Sequence, residues 1–420
     1  MTINWLLDFV FFYPLVMAWV WMIGGIWYYY RWEGRNHGDP EHPPQTGKNP
    51  PCSIVIPCFD EATDIRDTIH YAHASEYPDF EIIAVNDGSN DETGRILEEL
   101  TETYPRLRVV HLASNQGKAI ALRTGALAAR HEFLIGIDGD ALLHPKAVAW
   151  MMFHLSSGPR VGAVTGNPRI LNRSTLLGKL QVGEFSATIG LIKRAQRVYG
   201  RIFTVSGVIA GFRRTALDRV GYWSSDMVTE DIDISWRLQL DHWDIRYEPN
   251  ALSYIYMPET LRGLWKQRLR WAQGGVETIL RHSASLFRWN KRRLWAVAIE
   301  YTVSILWAYA MAAVLVIYLL GLIFAMPPGW SSTSIIPQWA GVILGITALL
   351  QFLVSLLIDR RYETDRRFFR NYFWVIWYPL AFWLLSMATT VTAVPKAILK
   401  RSGERARWVS PDRGLRPPEE

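Results

Sequence analysis

The chain has 420 residues, half of them hydrophobic, with 20 tryptophans, 2 cysteines and a formal net charge of +6. The apolar residues gather at the two ends, and most of the excess charge flanks those stretches, so no nucleic acid is needed to explain it. Cys52 and Cys58 fall in one expected strand, about 20 Å apart when extended, which excludes a disulfide and fits a reducing cytoplasm.

Phe9 to Tyr30 carries no charge over about 20 residues, enough to cross a bilayer core. It lacks a positively charged start and a small-residue cleavage site, so residues 1–30 read as a retained anchor. No Lys or Arg precedes it, whereas Arg31, Arg35 and Lys48 follow, which predicts a cytoplasmic central region. A Pro-rich linker occupies residues 31–50.

Residues 51–258 alternate short apolar runs with amphipathic stretches: "CSIVIPCF", a helix over Glu61–Ser75, "EIIAVND", a second helix over Thr93–Thr103, "RVVHL", a third over Lys118–Arg130, then "FLIGIDGD". That order predicts an α/β fold with a mainly parallel sheet. Ligands of such sheets bind beyond the carboxyl ends of the strands, where Asp60, Asp87, Asn115, Asp138 and Asp140 all fall. No G-x-G-x-x-G follows the first strand and no P-loop motif occurs, so phosphates must be held another way. Asp138 and Asp140 flank a single glycine and offer hard oxygen ligands to a divalent cation bridging a diphosphate. Lys118 opens a helix where its charge gains nothing from the macrodipole, so an anion is expected beside it.

Two later segments carry further chemistry. "TEDIDISWRL", residues 229–238, is either a helix capped by Thr229 with Ile232 and Trp236 buried, or the source of a general base. "LRGLWKQRLRWAQGG" predicts an amphipathic helix, with Leu261, Trp265, Leu269 and Ala272 on one face and Gln267, Arg270 and Trp271 on the other. It belongs to a stretch of interfacial helices over residues 259–294. Three further spans follow within 295–395, near Trp295–Phe324, Ile335–Ile358 and Phe373–Pro395, before a basic tail, 396–420. Four full crossings, the reading preferred here, export that tail, against its Lys400, Arg401, Arg405 and Arg407, whereas a re-entrant or kinked Phe373–Pro395 segment around Pro379 returns it inside.

"VNDGSND", "NQGKAIAL", "DGD", "TED" and "QRLRW", with "AVTGNPRI", "TVSGVIAGFRR" and "RARWVSPDRG", resemble in order and spacing the processive family 2 glycosyltransferases, which include cellulose, chitin and hyaluronan synthases. The resemblance is closest to the branch that polymerises N-acetylglucosamine for bacterial biofilm matrix. It implies a GT-A fold in which Asp60, Asp87 and Lys118 help hold uridine diphosphate, Asp138 contacts the nucleotide, and Asp138 and Asp140 meet Mg²⁺ or Mn²⁺. Asp231 becomes the base, and Gln267, Arg270 and Trp271 position donor diphosphate and acceptor. It also implies UDP-N-acetylglucosamine as donor, a growing glycan chain, a multi-pass setting in the bacterial inner membrane, a small two-span partner subunit, and a response to cyclic di-GMP. The arginines of the Asp359–Arg370 loop would suit that dinucleotide, although no R-x-x-x-R plus D-x-S-x-x-G module is visible. Two departures stand: Asp60 replaces the commoner Asn, and one amino-terminal span is present where close relatives carry two.

Overall fold

The computed structural model describes residues 4–34, 40–44, 47, 49–327, 330, 338–363, 368–375, 378–401 and 403–406. Arg35, Lys48, Arg366, Arg367 and the closing motif from Arg407 onward lie outside the described residues. The chain opens with helix α1 (Asn4–Tyr28), continued by a π-helical turn to Glu33. Its exposed Phe12, Trp19, Ile23 and Trp27 suit a lipid surround.

The four expected strands form β1 (Cys52–Cys58), β2 (Phe80–Asn86), β3 (Leu107–His111) and β4 (Phe133–Ile137). β1 and β2 are buried along their whole length, which is why they read as unbroken apolar runs. Between these strands come α2 (Ile65–His73), α3 (Thr93–Thr103) and α4 (Lys118–Ala128). β5 (Leu142–Leu143), α5 (Ala147–Ser156) and β6 (Val161–Ile170) follow, then α6 (Leu176–Glu184), a π-helical stretch (Phe185–Leu191) and α7 (Ile192–Tyr199). β7 (Ile209–Arg213), α8 (Arg214–Val220), α9 (Glu230–Leu240) and β8 (Asp244–Ile255) complete the central domain.

The eight strands form one sheet in the order β3-β2-β1-β4-β7-β6-β8-β5. β1 pairs in parallel with both β2 and β4, so strand order turns back at that point and opens a crevice beyond their carboxyl ends. β7 runs antiparallel to β4 and β6 and brings Ser206–Val208, just before it, over the same crevice. Apolar side chains pack both faces of the sheet, around Ile54, Ile82 and Trp150 on one side and Val55, Leu122 and Tyr247 on the other. Cys52 and Cys58 are free thiols at the two ends of β1.

Helix α10 (Leu261–Leu286) leads to α11 (Trp295–Gly321), α12 (Gln338–Asp359), the short α13 (Asn371–Val375) and α14 (Tyr378–Leu399). Together with the stretch Asn4–Glu33, α11, α12 and α14 are long and apolar enough to cross a membrane. Polar contacts tie these helices to the sheet. Arg169 on β6 reaches Asp359 at 2.6 Å, and Arg194 on α7 reaches Asp359 at 2.9 Å and Glu33 at 2.6 Å. Glu363 takes both Arg169 and Arg173. The acids at the start of the Arg-rich loop thus serve the interior, and Arg361 donates to the Glu33 carbonyl at 2.8 Å.

Both ends of α14 meet the catalytic half. Tyr378 donates to Glu184 Oε2 at 2.8 Å, and Lys400, one residue past its end, meets Glu277 at 3.0 Å. Arg405 then donates to Gln116 at 2.7 Å and the Ala406 N–H to the Ser225 carbonyl at 2.9 Å. A crossing helix would carry the tail away from that domain. The preference for an exported tail is therefore corrected in favour of a segment that returns: Lys400, Arg405 and Ala406 lie against the sheet domain and α10.

On α10 the Leu261 face stays exposed, and the helix packs on its other side. Leu261 is 79% exposed, while Gly263, Leu264, Arg268, Gly274 and Gly275 are buried. A Cβ on Gly274 would stand 1.8 Å from Thr229 Oγ1, and one on Gly275 2.1 Å from the Tyr301 hydroxyl. Backbone proximity, invisible to a count of apolar side chains, sets this helix against α9 and α11.

Candidate active site

A cavity of about 440 Å³ opens at the crevice and gathers Lys118, Asp138, Asp140 and Asp231 with Gln267, Arg270 and Trp271 of α10. It extends past Phe185 and Thr188 of the π-helical stretch to Phe382, Ser386, Thr389 and Thr390 of α14. Two of the expected residues stand outside it. Asp87, fully buried, accepts from the Gln116 and Gly117 N–H groups, each at 2.8 Å, and so fixes the turn that begins α4. Asp60, at φ +54°, accepts from the Asn90 N–H at 2.8 Å and ties two loops together.

Lys118 has the anion its position called for. Its ammonium lies 2.6 Å from Asp138 and 3.2 Å from Glu230, and these carboxylates hold its pKa above the ordinary lysine value despite burial. Gly139 approaches Pro57 so closely that a Cβ would stand 2.9 Å from its carbonyl oxygen, which fixes the turn carrying both aspartates.

Lys118 also donates to the Gly207 carbonyl at 3.4 Å. A Cβ on Gly207 would stand 3.2 Å from Asp231 Oδ2 and 3.4 Å from Lys118 Nζ, so base candidate and lysine face each other across this glycine.

The three acids of the "TEDID" segment separate by environment. Glu230 is held below its usual pKa by Lys118 and Arg270 against the effect of burial. Asp231 is pushed up to about 6, chiefly by burial and then by the neighbouring Glu230 charge. Asp233 is brought down to about 2 by His282 at 3.0 Å and Arg237 at 2.7 Å, which outweigh its burial. It is committed to packing. Thr229 makes no side-chain capping bond, while Ile232 and Trp236 are buried as the helix reading expects.

Several residues at the site carried no separate signal in the sequence. Arg268 pairs with Glu184 at 2.9 Å and lies 4.3 Å over the Trp271 ring, so it orients the indole that the motif presents. Glu230 was legible only as part of an acidic run. Glu184 and Lys193 reach the cavity from α6 and α7, a stretch to which the sequence reading assigned no role.

Among the described residues no three His, Cys, Asp or Glu side chains converge on a metal position. Asp138 pairs with the Lys118 ammonium, and Asp140 lines the same cavity two residues on. The residues fit a hard divalent ion that takes one protein carboxylate and completes its shell with substrate phosphates and water.

Residues 50–274 match the family described as glycosyltransferase like family 2. The poly-beta-1,6-N-acetyl-D-glucosamine synthase of Staphylococcus epidermidis is 37% identical over 411 residues, 97% of this chain and 98% of that one. Its counterpart in Staphylococcus aureus strain COL is 37% identical over 407 residues, with the same coverage of 97% and 98%. A mannosyltransferase from Pyrobaculum calidifontis, solved in complex with GDP-Man and Mn²⁺, is 19% identical and superposes with a TM-score of 0.65, covering 94% of this chain and 98% of its own. That likeness is one of fold: the GT-A arrangement of a mainly parallel mixed sheet.

Proposed function

This chain belongs to glycosyltransferase family 2, and from that premise we propose that it polymerises N-acetylglucosamine from UDP-N-acetylglucosamine into poly-β-1,6-N-acetylglucosamine. The observation that carries the reading is one cavity holding a raised-pKa carboxylate, a lysine–carboxylate pair and the Gln267, Arg270 and Trp271 side chains, and continuing along α14.

In this reading Asp231 takes the proton from the acceptor hydroxyl as that oxygen attacks the sugar C1. The C1–O bond to the diphosphate breaks on the opposite side, and its electron pair leaves with UDP, inverting the configuration. With a pKa of about 6, Asp231 is ionised at neutral pH and still basic enough to accept the proton. Lys118 keeps Asp138 in place beside the nucleotide, and Asp60 and Asp87 hold the loops that carry it. Arg270 adds positive charge near the diphosphate, and Trp271, backed by Arg268, offers a flat apolar face to the acceptor sugar. Mg²⁺ or Mn²⁺ bound at Asp140 would supply the positive charge that neutralises the leaving diphosphate.

The product is too polar to cross lipid, and the cavity along α14 opens toward a second one, of about 240 Å³, between α1, α11, α12 and α14. We read this as the start of the export route, with the enzyme in the bacterial inner membrane and its catalytic domain in the cytoplasm. The reading includes a small two-span partner subunit and a response to cyclic di-GMP, for which the exposed Arg360 and Arg370 supply guanidinium groups.

The test is release of UDP by purified protein given UDP-N-acetylglucosamine, followed by linkage analysis of the polymer. A 1,6-linked product upholds the proposal; a hyaluronan-, chitin- or cellulose-like linkage, or transfer of one sugar to lipid, replaces it.

A further inference from the structure

A second cavity, of about 280 Å³, lies between α1, α7 and α11 and is lined by Tyr13, Trp21, Lys193, Gln196, Tyr301 and Ser304 among others. It shares Lys193, Phe203, Thr204 and Tyr301 with the catalytic cavity, but Lys118, Asp138 and Asp140 do not border it. Asp231, Gln267, Arg270 and Trp271 do not border it either, so it is a side chamber joined to the catalytic cavity at Lys193, whose ammonium feels the Asp231 charge. Aromatic rings alternating with hydroxyl and amide groups match a sugar, which has apolar C–H faces and a polar rim.

Its two charged side chains differ in what they have left to offer. Glu300 is already engaged, accepting from Trp21 Nε1 at 2.9 Å, from Gln196 Nε2 at 3.3 Å and from the Tyr199 hydroxyl. Lys193 is only 6% exposed, yet it makes a single hydrogen bond, to Thr165 Oγ1 at 3.2 Å. That oxygen also accepts from the Ser206 N–H at 2.8 Å. No carboxylate of the described residues comes within ion-pairing distance of Lys193, and burial draws its pKa down to about 8. An ammonium has three N–H donors, and leaving two unmet in the interior is costly. What would complete its shell is an acceptor oxygen from outside the protein.

We propose that this cavity is a saccharide subsite for the acceptor chain, in which Lys193 donates to an uncharged oxygen of an N-acetylated sugar and rejects a sugar bearing a free ammonium. The inference rests on the glycosyl-transfer reading and adds to it a basis for recognising acetylated acceptors. An acetamido carbonyl is a good hydrogen-bond acceptor; an amino sugar presents a like charge in a poorly solvated space, where repulsion is strong.

The experiment uses the full-length protein in nanodiscs, with a short β-1,6-linked N-acetylglucosamine oligomer, its de-N-acetylated counterpart and UDP as calorimetric probes. The parent should bind the acetylated oligomer at least about tenfold more tightly than the amine form. Lys193→Met should lose about tenfold of that affinity, narrow the gap between the two oligomers and leave UDP affinity unchanged. Val297→Phe, which narrows the cavity from α11 at a residue that borders neither the catalytic cavity nor the one between α1, α11, α12 and α14, should weaken oligomer binding alone. Equal binding of both oligomers by the parent, oligomer affinity unchanged in both variants, or a parallel fall in UDP affinity overturns the proposal. Absence of turnover with UDP-N-acetylglucosamine would count against the function proposed above, whereas oligomer binding decides this subsite by itself.

Discussion

The charges that fasten the sheet to the apolar helices and the charges that surround the catalytic cavity are of the same kinds, but they are balanced differently. At the fastening, Arg169, Arg173 and Arg194 face Glu33, Asp359 and Glu363, three against three, with close contacts throughout. At the cavity, five carboxylates, Asp138, Asp140, Glu184, Glu230 and Asp231, stand against four cations, Lys118, Lys193, Arg268 and Arg270. Matched charges hold each other in place; at the cavity one carboxylate can raise the pKa of the next, as Glu230 does that of Asp231, and leave room for a proton or a cation. The first arrangement holds structure, and the second is prepared for chemistry.

The comparison breaks most sharply at Asp231. Asp231→Asn keeps the shape and removes the proton acceptor, so glycosyl transfer should fall by about 10²–10⁴-fold while UDP-N-acetylglucosamine affinity stays near the parent value. Asp140→Asn should weaken donor affinity as well as transfer, because it removes a carboxylate suited to the cation. Calorimetry with the donor and a UDP-release assay on both variants separate the two roles; near-parental transfer by Asp231→Asn would rule it out as the base.

At the fastening the effect should be on stability. Asp359→Asn leaves Arg169 and Arg194 buried with one partner fewer, at a cost of about 3–5 kcal/mol. Thermal unfolding in detergent should show it, with the donor KM of the folded fraction unchanged. A small loss of stability would mean that water compensates the arginines and that the balance matters less than argued.

The smallest effect sharpens the cavity side. In the proposed mechanism the active base is the ionised form of Asp231, so activity should rise with pH through about 6 and reach a plateau above it. Removing the Glu230 charge, one cause of that elevation, should move this acid limb to lower pH in Glu230→Gln. A pH–rate profile measured at saturating donor checks the direction. The same elevation is a cost to the fold: between about pH 4 and 6 the folded state keeps a proton that the unfolded chain has released, so stability falls as pH rises through that window and the loss is complete at neutral pH, where both states are ionised.

How much of this was legible in the sequence follows from the range of each interaction. The parallel strands were, because burial on both faces leaves unbroken apolar runs, and Asp138, Asp140 and Asp231 were, because short acidic motifs stand out at strand and helix ends. Arg268, Glu184 and Lys193 were not, because each gains its meaning from a partner distant in the chain. The side of the tail was obscured for a related reason. Counting apolar residues measures whether α14 is long enough to span, while its direction depends on Tyr378 meeting Glu184 and Lys400 meeting Glu277.

Because α14 is pinned near both ends and presents Phe382, Ser386, Thr389 and Thr390 to the cavity between them, its length is part of the design. One residue added midway would turn everything beyond it by about 100° and advance it by about 1.5 Å, swinging the threonines off the cavity wall or pulling Lys400 from its carboxylate. A substitution along α14 disturbs one position; an insertion or deletion disturbs the register of the whole wall. This segment can therefore drift in residue identity far more freely than in residue count.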